Sequence, residues 1–101
     1  MIYECIDNPY LYCKLVVDVE DIWRLITLYK SSNLAYWYCR EINDREEIWR
    51  TLSRKGSDPK FQYMYCRYVC DRMEIAKALA NSTHPDADDW RFCYKIFIGF
   101  K

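Results

Sequence analysis

Apolar residues in this chain recur in short bursts at helical spacing, each broken by polar residues after two or three turns. Ile22, Trp23, Leu25 and Ile26 form one burst, Ile48, Trp49 and Leu52 a second, Ile75, Ala76 and Leu79 a third. Residues three and four apart share a helix face, so each burst predicts a short amphipathic helix with one buried stripe. Between the bursts lie segments of a second kind, dominated by aromatics: Tyr10-Leu-Tyr-Cys-Lys14, Tyr36-Trp-Tyr-Cys-Arg40, Tyr63-Met-Tyr-Cys-Arg67 and Trp90-Arg-Phe-Cys-Tyr94. Their cysteines, Cys13, Cys39, Cys66 and Cys93, are 26, 27 and 27 residues apart. Self-similarity at a fixed period signifies a repeat architecture. It makes the four cysteines one structural position used four times, a small buried hydrophobe on a helix.

Each repeat therefore predicts two helices: helix A, carrying the aromatic–Cys segment, and helix B, carrying the apolar burst. Asp18-Val-Glu-Asp-Ile22, Asp44-Arg-Glu-Glu-Ile48 and Asp71-Arg-Met-Glu-Ile75 read as capping boxes at the start of helix B, with Asp as N-cap and Asp21, Glu47 or Glu74 three residues on. Asn8-Pro9 and Asp58-Pro59 place a cap before a first-turn proline at the start of helix A, and Ser32-Asn33 offers polar caps for another. The A-to-B turns are short, and the B-to-A connections are expected to be slightly longer and polar. The expectation is an all-α fold, a small α-solenoid of stacked αα-hairpins with about seven short helices. Residues 1–7 make an N-terminal half-repeat, 8–32, 33–57 and 58–84 three full repeats, and 85–101 a C-terminal half-repeat that caps the stack. The apolar run at 96–100 suits either a last helical turn or an extended segment over the open end.

Composition narrows the class. The 101 residues suffice for one domain with a modest core. Hydrophobic residues at 51% and charged residues at 30% exclude a disordered chain. Fifteen basic residues balance fifteen acidic ones. Non-specific nucleic-acid binding therefore lacks its usual driving force. The balance hides an asymmetry: residues 1–50 carry six Lys/Arg and nine Asp/Glu (−3), residues 51–101 nine and six (+3). No export signal or membrane-length apolar run is visible, so the expected setting is cytoplasmic, with reduced thiols.

Asp58-Pro-Lys-Phe-Gln-Tyr-Met-Tyr-Cys-Arg67 and Leu34-Ala-Tyr-Trp-Tyr-Cys-Arg40 resemble the short tandem helical repeats of certain phage and bacterial proteins, whose pattern runs Asp-Pro-x-Tyr-Ala-Tyr-x-Tyr-Ala-Arg. The likeness covers residues 8–95, with Cys standing where the family has a small Ala. It implies a phage or bacterial origin and carries no catalytic signature.

Each candidate chemistry has a structural competitor. Cys66 and Cys70 share a helix face, but the spacing of a zinc module is absent and the single histidine, His84, stands in a loop. A Cys–His nucleophile is formally available, yet nothing distinguishes one repeated Cys from another. The acid pairs recur at every helix B start and read as caps. Asp86, Asp88 and Asp89 are too few for a calcium loop. No metal, cofactor or catalytic residue is expected. Tyr10/Lys14, Tyr36/Arg40 and Tyr63/Arg67 form an aromatic–cation ladder that could stack nucleobases, the alternative reading, or could simply pack between repeats. Positions that are equivalent yet vary are better candidates for a partner: Leu11, Trp37, Met64 and Arg91, and four later Leu15, Glu41, Tyr68 and Lys95. Trp, Met and Tyr are enriched at protein interfaces. The expected function is non-catalytic binding of a protein partner, with an acidic surface meeting the basic end. In its most concrete form the chain is a small phage inhibitor of a host defence protein such as a CRISPR effector.

Overall fold

A computed structural model describes residues 8–99, which form seven helices and no strand. They are α1 (Pro9–Leu15), α2 (Glu20–Tyr29), α3 (Ser32–Glu41), α4 (Glu46–Leu52), α5 (Pro59–Tyr68), α6 (Met73–Ala80) and α7 (Ala87–Gly99). The expected half-repeat at 1–7 lies outside the described residues, as do Phe100 and Lys101. Up to Gly99 the terminal apolar run is helical.

Helices α1, α3, α5 and α7 touch in that order, and so do α2, α4 and α6, while α1–α2, α3–α4 and α5–α6 pack as consecutive pairs. The result is two helical layers in a body measuring 47 × 26 × 17 Å. The core is continuous along it. Ile22, Ile26, Ile48, Leu52 and Ile75 face inward from the α2–α4–α6 layer, and Cys13, Tyr36, Tyr38, Cys39, Tyr65 and Cys66 from the other. Large aromatics let so thin a body bury enough apolar surface.

The turns within the pairs are copies. Each is four residues long, and each opens on a β-branched residue whose N–H returns to a tyrosine carbonyl: Val16 to Tyr12, Ile42 to Tyr38 and Val69 to Tyr65, with φ of −113°, −118° and −112°. The connections between pairs differ. Lys30 and Ser31 alone link α2 to α3, which overturns the expectation that every such connection is the longer kind. The α4–α5 and α6–α7 links, residues 53–58 and 81–86, are longer. Asn8 and Asp58 cap α1 and α5 as expected, accepting from the N–H of Leu11 and Lys60. Ser31 caps α3, and Ser32 Oγ instead accepts from the Asp58 N–H, tying α3 to the next connection.

Two further sequence expectations fail. Asp18, Asp44 and Asp71 are not N-caps. The capping positions are Val19, Arg45 and Arg72, none of which makes a side-chain cap bond. Each aspartate stands one residue earlier and turns to a tyrosine of the next pair. Second, Cys93 does not repeat the buried position of Cys13, Cys39 and Cys66; it is half-buried. The register of α7 is displaced by two residues. Trp90 stacks on Tyr63 at 5.6 Å as Phe61 stacks on Tyr36 at 5.7 Å. Tyr94 reaches Asp71 as Tyr65 reaches Asp44, and Arg91 reaches the end of α6 as Gln62 reaches the end of α4. Tyr94 and Arg91 are half-buried and match Tyr65 and Gln62 in their contacts, so Lys95 takes the place that Cys66 holds in α5.

Candidate functional site

Buried tyrosines carry a hydroxyl that needs a partner. Tyr38 and Tyr65 are fully buried, and the aspartates supply it. Tyr38 donates to Asp18 Oδ1 at 2.6 Å and accepts from Arg45 Nε at 2.7 Å, while Arg45 Nη2 stands 3.5 Å from Asp18 Oδ2. The next junction repeats this more tightly: Tyr65 to Asp44 at 2.5 Å, Arg72 to Tyr65 at 2.6 Å and Arg72 to Asp44 at 2.7 Å. The same arginines cover tryptophans. Arg45 lies 4.9 Å from the Trp23 ring and Arg72 4.5 Å from the Trp49 ring. At the last junction Tyr94 donates to Asp71 at 2.7 Å. Burial and the carboxylate together push the hydroxyls of Tyr38, Tyr65 and Tyr94 well above the usual tyrosine range. Residues this thoroughly engaged staple one helix pair to the next. The signal for them was present, since the dipeptide Asp-Arg recurs at 44–45 and 71–72, its arginine seven residues after Tyr38 and Tyr65.

Cys13 and Cys39 are held as thiols. Burial first, then the Asp18 carboxylate, raises Cys13 to about 11, and Cys39 is raised further beside Asp44. That is the reverse of nucleophile activation. His84 is exposed, and its Nδ1 accepts from the Asp86 N–H. Among the described residues no group of three or more His, Cys, Asp or Glu is arranged to hold a metal, and no helix is long and apolar enough to cross a membrane.

The aromatic–cation ladder packs against the protein. Lys14, Arg40 and Arg67 donate to the hydroxyls of Tyr10, Tyr36 and Tyr63 at 3.3, 2.7 and 2.5 Å. All three rings are buried and offer no face to a nucleobase. The ladder has an outer edge, however. Arg40 lies 5.4 Å from the Trp37 ring and 5.2 Å from the Tyr68 ring, and Arg67 lies 5.3 Å from Tyr68. Tyr68 is thus a half-exposed ring held by two guanidiniums, one from α3 and one from its own helix.

The varying positions divide on this geometry. Trp37 and Met64 are partly buried against the core, and Trp37 meets Tyr36 edge-on at 5.0 Å. Glu41 and Tyr68 are exposed beside them. Leu11 and Leu15 are exposed on α1, Leu15 at 74%. Arg91 is drawn away: its guanidinium donates to the carbonyls of Leu79 and Ser82 at 3.1 and 2.9 Å and pairs with Asp88, closing the C-terminal end of α6. Lys95 is exposed and borders an apolar hollow of about 220 Å³ between α6 and α7. Trp37 and Tyr68 are therefore joined through Arg40, whereas Arg91 is occupied within the fold.

A larger groove, about 490 Å³, opens between the α4–α5 connection and the end of α6. Sequence reasoning did not find it, because the extra residues of that connection shape it. Gly56, at φ +90°, turns the chain there in a conformation that disfavours a side chain. Two buried polar atoms beneath this connection, Gln62 Oε1 and Thr51 Oγ1, have no hydrogen-bond partner among the described residues. Each such atom costs on the order of 1–3 kcal/mol.

Comparison with protein-family models, curated proteins and solved structures finds no match to this chain.

Proposed function

We propose that this chain is a non-catalytic protein-binding module, a short solenoid of helical hairpins that presents the outer edge of α3 and α5 to its partner. One observation carries the reading: Tyr68, a 50% exposed ring fixed between Arg40 and Arg67 next to Trp37. Tyr, Trp and Arg dominate binding hot spots, and a side chain already held in place loses little entropy on docking. The surrounding cations suit an acidic protein surface. Small size and the likeness to phage and bacterial tandem repeats support the concrete version, an inhibitor that occupies a functional surface of a host defence protein such as a CRISPR effector. Nucleic acid is the weaker candidate, since the ladder's rings are buried and the net charge is zero.

The test is a capture experiment from bacterial lysate with the intact chain and its Tyr68→Ala variant, each with and without nuclease. A protein retained by the intact chain after nuclease and lost with Tyr68→Ala supports the reading. Retention that disappears on nuclease treatment, or that is indifferent to Tyr68, overturns it.

A further inference from the structure

The groove beside the α4–α5 connection is a second site, and its lining includes neither Tyr68 nor the Arg40 and Arg67 that hold it. Its floor is Gln62, 1% exposed, whose Nε2 donates to the Leu52 carbonyl at 2.8 Å while Oε1 is left without a partner among the described residues. Its walls carry Arg54, Lys55, Lys77 and His84 against a single carboxylate, Glu74.

The repeat shows that this arrangement is particular to the middle of the molecule. The position of Gln62 is filled by Ala35 in α3, buried behind a two-residue connection. In α7 it is filled by Arg91, whose guanidinium closes the end of α6 with several carbonyl contacts. Neither leaves an unanswered acceptor. Ser57 Oγ donates to the Thr51 carbonyl at 2.6 Å and fastens the connection in its raised position. Thr51 Oγ1, likewise without a partner, borders a second hollow of about 270 Å³ on the other side of the same connection.

We infer that the groove binds an acidic peptide segment in extended form. Gln62 Oε1 is an acceptor, so its partner must bring an N–H or O–H. A peptide backbone brings one at every non-proline residue, whereas a bare carboxylate brings none. Arg54, Lys55 and Lys77 call for carboxylates on the same molecule. The cleft is an open trough rather than a closed cavity, and its volume accommodates about three or four residues of chain. The partner this describes carries an acidic linear stretch, and it reaches a surface separate from the Tyr68 edge.

The probe is a capped oligoglutamate peptide titrated into the intact, 15N-labelled chain, with inorganic phosphate as the comparison anion. Saturable shifts are expected in the Gln62 side-chain amide and in the backbone amides of 53–57 and 81–84. The double variant Lys55→Glu/Lys77→Glu should weaken binding at least about tenfold with the melting temperature unchanged. Gln62→Leu, which keeps the volume and removes the acceptor, should weaken it as well; if that variant does not fold, the lysine variant decides. Absence of shifts overturns the inference. So does an affinity indifferent to the lysines, or the same shifts with phosphate at matched charge, which would mark an adventitious ion only. Loss of the Tyr68 interface would leave these outcomes untouched.

Discussion

At the residue scale the molecule turns on what a buried hydroxyl requires. Had Asp44 been a helix cap, its replacement by alanine would cost about 1 kcal/mol. In its actual place it accepts from Tyr65 and pairs with Arg72, so Asp44→Ala leaves the Tyr65 hydroxyl without its acceptor and Arg72 without its carboxylate. The expected cost is about 2–3 kcal/mol. Asp18→Ala should cost less, because Arg45 stands 3.5 Å from Asp18 whereas Arg72 is 2.7 Å from Asp44. Urea unfolding of the two variants gives the ordering, and a double-mutant cycle of Asp44→Ala with Tyr65→Phe should return a coupling of about 1 kcal/mol or more. Equal losses near 1 kcal/mol would restore the capping role. The same environment fixes an alkaline limit. Cys13 keeps its proton to about 11 in the folded chain, against an ordinary 9.0. Above about pH 9 the unfolded chain therefore binds fewer protons than the folded one, and stability falls as pH rises. The Cys13 contribution is intact below about pH 9 and gone above about 11; the raised hydroxyls of Tyr38, Tyr65 and Tyr94 extend the decline in the same direction. Denaturation midpoints measured across that range should drop, and Cys13→Ala should flatten the first part of the slope. A flat profile for the intact chain would contradict the assignment.

At the element scale, helix ends distinguish the repeats. Helix α2 stops at Lys30, which adopts the left-handed conformation at φ 54° and ψ 36°. A Cβ is strained there, so Lys30→Gly should stabilise the protein by about 0.5–1 kcal/mol despite the added freedom of the unfolded chain. Helix α6 is closed by Arg91 from the following helix, and Arg91→Ala should lower stability by about 1–2 kcal/mol while leaving partner binding unchanged. A reverse result would return Arg91 to the binding strip. The sequence made the helices legible because each apolar burst at spacing three and four is a buried stripe, and because Asn8-Pro9 and Asp58-Pro59 announce their starts. It concealed the last register. Trp90-Arg-Phe-Cys-Tyr94 matches the earlier segments through its cysteine, yet the contacts that decide are Tyr94 on Asp71 and Arg91 on Leu79. Local pattern cannot weigh a hydroxyl–carboxylate bond across 23 residues against a repeated thiol. The groove was hidden for a related reason. Its shape depends on how residues 53–58 arch over Thr51 and Gln62, which no periodicity encodes.

At the scale of the whole molecule the charge asymmetry gains meaning, because the helices of each layer touch in chain order along a body 47 Å in its longest dimension. Among the described residues, 8–50 carry six Lys/Arg and seven Asp/Glu (−1) and 51–99 carry eight and six (+2), and the two stretches lie in sequence, so the described body has a modest electrostatic direction. Charges separated by more than about 8–10 Å are screened at physiological salt. The asymmetry thus steers encounter and contributes little once the partner is seated; the association rate should fall with added salt more than the dissociation rate changes. In the complex we propose, the Tyr68 edge holds the seated partner, and here the two aromatics of the strip part company. Trp37 is packed against the core and edge-on to Tyr36, so Trp37→Ala should lower stability by about 2 kcal/mol through the space it leaves. Tyr68 is half-exposed, and the contacts that hold it are two guanidiniums at the surface. Tyr68→Ala should shift the melting temperature little and speed dissociation from the partner about tenfold or more, as loss of a preordered hot-spot ring does. Arg40→Ala should produce a smaller change of the same sign, because it removes one of the two groups that hold the ring without removing the ring. Thermal unfolding and surface-binding kinetics on the three variants separate these effects. A Tyr68→Ala protein that melts early and still binds would make Tyr68 a structural residue and move the interface off the α3–α5 edge.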